Sequence, residues 1–227
     1  MRLIFRSLGG VSLQDVSTQG RVLVSRTTTQ REIVGRAPDE SRDRNLSWLD
    51  WSFPTVLSDD GRFVLFEEQN LGDEYGLFLR RTDGAPPVRL GNGRGLTLSP
   101  DGKWVLATHQ VDDADELVLL PTGAGDTRRL GRPGIVASGA SFLPGGQRLV
   151  VSGHAPGVGE RLYTYDLATS ALSPISPEGV TAYFSGTVSP DGRLAFATGP
   201  DGSLTLYPIE GGEARVVPVS LGMTHSA

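Results

Sequence analysis

Carboxylates crowd two short stretches of this 227-residue chain, one holding Glu67, Glu68, Asp73 and Glu74 and the other Asp112, Asp113, Asp115 and Glu116. Clustered carboxylate oxygens suit a basic partner segment or a hard cation such as Ca²⁺. The competing reading is a solvated acidic loop, and the stretches lack the glycine-punctuated order of an EF-hand, so no metal is assigned. His109 and His154 lie seven and eight residues after Gly102 and Gly146, with Glu68 at the matching place after Gly61. Two imidazoles and a carboxylate are zinc-ligand types, and the alternative is a pair of surface histidines. Arg94 and Arg132 sit in Gly91-Asn92-Gly93-Arg94-Gly95 and Gly131-Arg132-Pro133-Gly134. They could clamp a carboxylate or phosphate, although these glycines also serve chain reversal. Trp48 and Trp51, followed by Phe53, could stack on a peptide or sugar ring or pack between structural units. Paired acids for glycoside hydrolysis can be drawn freely from 26 carboxylates, so no catalytic residue is assigned.

The elements that must position these groups are marked by a recurring turn. Ser17-Thr18-Gln19-Gly20, Ser58-Asp59-Asp60-Gly61, Ser99-Pro100-Asp101-Gly102, Leu143-Pro144-Gly145-Gly146 and Ser189-Pro190-Asp191-Gly192 each precede an apolar run. Their last glycines are 41, 41, 44 and 46 residues apart, the period of a four-stranded propeller blade. Proline presets φ, aspartate tolerates the bridge region and glycine takes a positive φ, which together close a hairpin. The runs that follow, Arg21 to Ser25, Arg62 to Phe66, Lys103 to Thr108, Arg148 to Ser152 and Arg193 to Thr198, are continuous, as in strands buried on both faces. A third strand is expected at Glu32 to Val34, Leu77 to Leu79, Leu117 to Leu120, Leu162 to Tyr165 and Leu204 to Tyr207, and a short outer strand after it. No long helical period interrupts the pattern. The expectation is an all-β chain, residues 1–227 forming a single β-propeller domain of about five four-stranded antiparallel blades.

Only 7% of residues are aromatic, which suits thin blades that bury one another's faces. The chain has no cysteine, so disulfides and thiolate metal sites are excluded. Net charge is −5 with an isoelectric point near 5.2, which argues against nucleic acid as a partner. No apolar run reaches membrane-spanning length, and Met1 to Arg6 is too short for a signal peptide. The expected location is cytoplasmic if the chain is complete, and periplasmic or extracellular if it belongs to a larger receptor.

The Ser-Pro-Asp-Gly-Lys/Arg turns with their apolar strands, at Ser99 to Leu106 and Ser189 to Phe196, resemble the WD40-like repeat called PD40 or TolB-like. The units at Gly20, Gly61 and Gly146 depart from that pattern in their turn residues. Propellers of this kind occur in bacterial receptor-like Ser/Thr kinases, transcriptional regulators, prolyl-oligopeptidase-type peptidases and the Pal-binding protein TolB. The resemblance therefore implies a propeller that serves as an interaction or sensor module. No Gly-x-Ser-x-Gly elbow, phosphate loop or kinase signature accompanies it.

In such a fold, loops between second and third strands share a face with the connections between blades. That face is expected to carry Asp73, Glu74, Arg94, His109, Asp112, Asp113, Asp115, Arg132 and His154. Equivalent points on adjacent blades lie too far apart for one metal ion, so neither a metal nor a cofactor is expected. Five blades could close into a ring with Arg2 to Arg6 latched onto the last, or the chain could be an arc of a larger propeller; the arc is favoured. An arc exposes blade faces and strand edges, so self-association is expected. The leading function is noncatalytic binding of a protein or peptide, with a basic segment suited to the acidic loops. The alternative is a five-bladed sugar-active hydrolase or lyase with its site at the central opening. The inner-strand segments Thr55 to Ser58, Leu96 to Ser99, Ala137 to Phe142 and Tyr183 to Val188 carry no carboxylate, which disfavours that alternative.

Overall fold

The recurring turn is built identically wherever it carries its serine, aspartate and glycine, with or without the proline. Ser58, Ser99 and Ser189 donate their hydroxyls to Asp60, Asp101 and Asp191 at 2.6, 2.6 and 2.5 Å. The same carboxylate oxygens accept the backbone N–H of Arg62, Lys103 and Arg193, and each serine oxygen accepts the N–H of Phe63, Trp104 or Leu194. These bonds, the serine hydroxyl's first, hold the three aspartates below the usual carboxylate range. Gly61, Gly102 and Gly192 adopt φ of 69°, 68° and 70°, a left-handed conformation that costs glycine nothing. Where Gly145 replaces the aspartate, it and Gly146 both take positive φ, 93° and 70°.

The computed structural model describes residues 10–27, 30–69, 75–111, 114–182 and 187–220, and these are all-β with no helix. Each turn joins antiparallel neighbours, and three complete blades result. The first contains β5 (Ser52–Leu57), β6 (Phe63–Glu68), β7 (Gly76–Arg81) and β8 (Val88–Asn92). The second contains β9 (Arg94–Leu98), β10 (Trp104–Val111), β11 (Ala114–Pro121) and β12 (Arg128–Gly131). The third contains β13 (Val136–Phe142), β14 (Arg148–His154), β15 (Arg161–Asp166) and β16 (Leu172–Pro174). The fourth shows β17 (Leu194–Thr198), β18 (Ser203–Pro208) and β19 (Arg215–Ser220). Its innermost position is marked by a bridge from Val188 to Ala195.

Continuous apolar second strands do fill both sides of a blade. Leu65 packs with Val105 and Ala107 of the second blade, Leu106 with Leu149 and Val151 of the third, and Val150 with Ala195 and Ala197 of the fourth. Each such side chain is essentially inaccessible, and burying one of the leucines or valines contributes about 1.5–3 kcal/mol. The other side of the first blade presents Val64, Phe66 and Phe78, with the two rings stacked at 5.5 Å.

The first repeat takes a different form. β1 (Gly10–Val16) and β2 (Val22–Thr27) form a two-stranded sheet exposed along its whole length. Its turn is one residue shorter than the others: Ser17 N–H bonds Arg21 C=O, whereas Ser58 N–H bonds Phe63 C=O. The third strand expected at Glu32 to Val34 does not join this sheet. Instead β3 (Val34–Gly35) pairs with β4 (Arg44–Asn45), and Ile33 and Leu46 are drawn onto the open apolar side of the first blade. Burial of those two side chains competes with continuation of the hairpin and wins, because the hairpin itself buries nothing. Arg2 to Arg6 lie outside the described residues.

Candidate functional site

Strand β9 begins immediately after Gly93, whose φ is +118°. A Cβ at Gly93 would come within 2.2 Å of the Thr108 carbonyl oxygen, and one at Gly95 within 2.8 Å of both Leu65 and Leu77. Glycine on either side of Arg94 is therefore required by close backbone approach at one position and blade packing at the other. The outcome is a fixed site for Arg94 at the rim of the second blade, opposite Thr108 in the β9–β10 ladder.

A cavity of about 330 Å³ opens there, lined by Tyr75, Arg94, Thr108, His109, Gln110 and Asp115 around Gly93. In the β10–β11 ladder Gln110 stands opposite Asp115. Pairing and alternation put Arg94, Thr108, Gln110 and Asp115 on one face of the sheet and His109 on the other, so the cavity wraps the blade's upper edge. Gly93 N–H donates to the Tyr75 carbonyl at 3.0 Å, tying the first blade's third strand to the same rim. Arg94 brings a five-donor fork and Asp115 an acceptor-only carboxylate, so opposite charges of a ligand can be met at one place. Tyr75 adds an amphipathic ring.

Three of the residues singled out in the sequence thus meet: Arg94, His109 and Asp115. Others are placed elsewhere. Arg132 donates to the Val111 carbonyl at 2.9 Å, which holds the β10–β11 hairpin rather than presenting a free clamp. His154 is exposed at the end of β14 opposite Val136 and does not line the cavity. Asp73, Glu74, Asp112 and Asp113 lie outside the described residues. Among the described residues no cluster of three or more His, Asp or Glu side chains is disposed to hold a metal ion. Tyr75, Gln110 and Thr108 were not marked by the sequence, since nothing in their spacing separates a rim position from any other strand end.

Glu67 and Glu68 do not belong to a solvated acidic loop: their exposures are 4% and 0%. Glu67 accepts the Gly95 N–H at 3.0 Å. Burial raises its carboxyl above the usual range, opposed by hydrogen bonds from Gln69 and Gly95 and by the charge of Arg94. Glu68 points to the other side of the sheet, where one oxygen accepts from Ser52 Oγ and from Leu49 N–H and the other is buried without a hydrogen-bond partner. Both carboxylates thus serve as anchors for the connections entering inner strands. Trp51 and Phe53 are likewise occupied from within, because the Arg31 guanidinium lies 5.1 Å from the Trp51 ring and 5.2 Å from Phe53, whereas Trp48 is exposed. Trp51 Nε1 donates to Gln69.

No family model matches the chain, and no curated protein matches it. Solved structures do. A TolB from Agrobacterium tumefaciens aligns with a TM-score of 0.66 at 13% identity, over 95% of this chain and 83% of that one. TolB from Acinetobacter baumannii gives 0.63 at 15% identity, over 82% of this chain and 51% of that one. An oligogalacturonate lyase solved in complex with manganese gives 0.58 at 16%, over 83% and 60%. The chain therefore spans about half the length of the Acinetobacter protein. At these identities the likeness is one of fold, and the fold is that of a TolB-like β-propeller.

Proposed function

We propose that this chain is a noncatalytic propeller module, part of a larger bacterial protein of receptor-like kind, that docks a protein or peptide segment on its loop face. The observation that carries this reading is the convergence of Arg94, His109 and Asp115 with Tyr75 in one open cavity. A peptide presents backbone carbonyl oxygens to the Arg94 fork and a basic side chain to Asp115, while Tyr75 covers its apolar atoms. Favouring recognition over sugar chemistry, the hollow at the far end of the inner strands is lined by Thr97, Leu98, Ser141, Phe142 and Val188, with Asp59 its one carboxylate among the described residues. One of its hydroxyls, Ser141, is hydrogen-bonded to the buried Thr187 hydroxyl at 3.1 Å.

Selection of a displayed random-peptide library on the chain tests the reading. Enriched peptides are expected to carry Lys or Arg, to lose at least tenfold in affinity with Arg94→Ala or Asp115→Asn, and to be unaffected by Asp101→Ala in the opposite face. No enrichment, or equal binding by all variants, overturns it.

A further inference from the structure

The loop-face cavity has a neighbour. Between the outer strands of the first two blades lies a second hollow of about 400 Å³, lined by Arg89, Leu90, Asn92, His109, Leu120 and Arg129. His109 also lines the first cavity, so one imidazole stands between the two. The backbone links them as well: Arg89 to Asn92 border the second hollow, and the next two residues, Gly93 and Arg94, border the first.

Strand pairing brings the charged groups there. His109 stands opposite Glu116, and Val118 opposite Arg129. Alternation puts His109, Glu116, Val118, Leu120 and Arg129 on one face of the second blade, and Val118 and Leu120 pack with Leu65 and Leu77 of the first. That face is therefore turned toward the first blade, whose outer strand β8 supplies Arg89. The two arginines differ in their counter-charges. Arg129 donates to Glu116 at 2.6 Å, and that carboxylate is only 15% exposed. Arg89 is exposed and takes part in none of the ion pairs among the described residues. It donates instead to the neutral Asn92 Oδ1 at 2.5 Å, a bond that leans the guanidinium along β8 toward Gly93 and the first cavity.

We propose that Arg89 is a specificity-determining residue for the segment docked on the loop face, receiving an acidic side chain of the same peptide whose basic side chain meets Asp115. The inference rests on the loop-face reading and names the charge pattern of its partner. The second hollow offers a cation without a counter-charge among the described residues, beside an apolar floor of Leu90 and Leu120. A carboxylate on an aliphatic stem uses both features, whereas a small inorganic anion uses only the first. Arg89 precedes Gly93 by four residues of extended chain, about 13 Å. An extended peptide therefore carries its acid about four residues from its base. A peptide with basic side chains at both places meets repulsion at Arg89, which excludes uniformly basic segments.

Fluorescence anisotropy of the full chain with labelled peptides from the displayed library tests this. Enriched peptides are expected to hold Asp or Glu about four residues from their Lys or Arg. Replacing that acid by Ala is expected to weaken binding to wild type by about threefold to fivefold, the range of an exposed ion pair, and to leave binding to Arg89→Gln unchanged. Arg89→Glu is expected to prefer the peptide with Lys in place of the acid. Enriched peptides without an acidic residue overturn the inference, as does an acid-to-Ala replacement that costs wild type and Arg89→Gln equally. In both of those outcomes continued dependence on Arg94 and Asp115 leaves the loop-face reading standing. A library that yields no binding peptide overturns the two together.

Discussion

The two ends of the blade stack follow opposite rules. At the end carrying Gly61, Gly102 and Gly192, one arrangement of serine, aspartate and glycine recurs with hydrogen-bond lengths that agree within 0.1 Å. At the other end the three complete blades differ. The first buries Glu67 and Glu68, and the second opens the Arg94 cavity. The third gathers Ser138 and Ser152 around one oxygen of Glu160. Repetition at one end reflects a backbone requirement that every hairpin must meet, whereas the variable end is free to carry recognition.

The sharpest way to break this contrast is to add the same methyl group at each end. Gly93→Ala on the loop face brings a Cβ against the Thr108 carbonyl at 2.2 Å with φ at +118°. It is expected to lower stability by about 3 kcal/mol or more and to abolish peptide binding. Gly102→Ala in the repeated turn meets no atom within 4 Å and strains only φ, +68°, so about 1 kcal/mol is expected, with binding intact. Denaturant titration of both variants measures the difference, and equal losses would erase the distinction.

The next effect is smaller and depends on pH. Burial raises the Glu67 carboxyl in the folded chain, so the folded state holds its proton more tightly than the unfolded one. The contribution of Glu67 to stability is thus full below its unfolded pKa, about 4.3, and is lost as pH rises through the higher folded value. Glu67→Gln keeps an acceptor for the Gly95 N–H and removes the buried charge. Its stability relative to wild type is therefore expected to improve from pH 4 to pH 7. Asp101 behaves oppositely: its carboxyl is held low, chiefly by the Ser99 hydroxyl, so its contribution is present above about 3.9 and fades as pH falls through the folded value. Asp101→Ala is expected to differ from wild type at pH 7 and to converge with it in acid. Thermal unfolding at several pH values reads both trends, and parallel curves would contradict them.

Much of this architecture was legible in the residues because it depends on local rules. The Ser-Pro-Asp-Gly turns dictate their own hydrogen bonds, and the third strands at Leu77, Leu117, Leu162 and Leu204 fall where the period puts them. The first repeat was not legible, because its glycine-ended turn falls on the period but its fate depends on a distant competition. Ile33 and Leu46 find Val64, Phe66 and Phe78, which local spacing does not reveal. Glu67 and Glu68 read as surface acids because nothing adjacent announces that Gly95, Leu49 and Ser52 will hold them. Arg94, His109 and Asp115 were recognisable as rim residues, yet only the ladder registers show that they share one cavity while Arg132 and His154 stand apart.

Amide chemical-shift mapping of the chain with a library-selected peptide tests loop-face recognition most directly. Shifts are expected at Tyr75, Gly93, Arg94, His109, Gln110 and Asp115, with the turn residues around Gly61, Gly102 and Gly192 silent. Shifts concentrated at those turns or around Thr97 and Ser141 in the central hollow would contradict it.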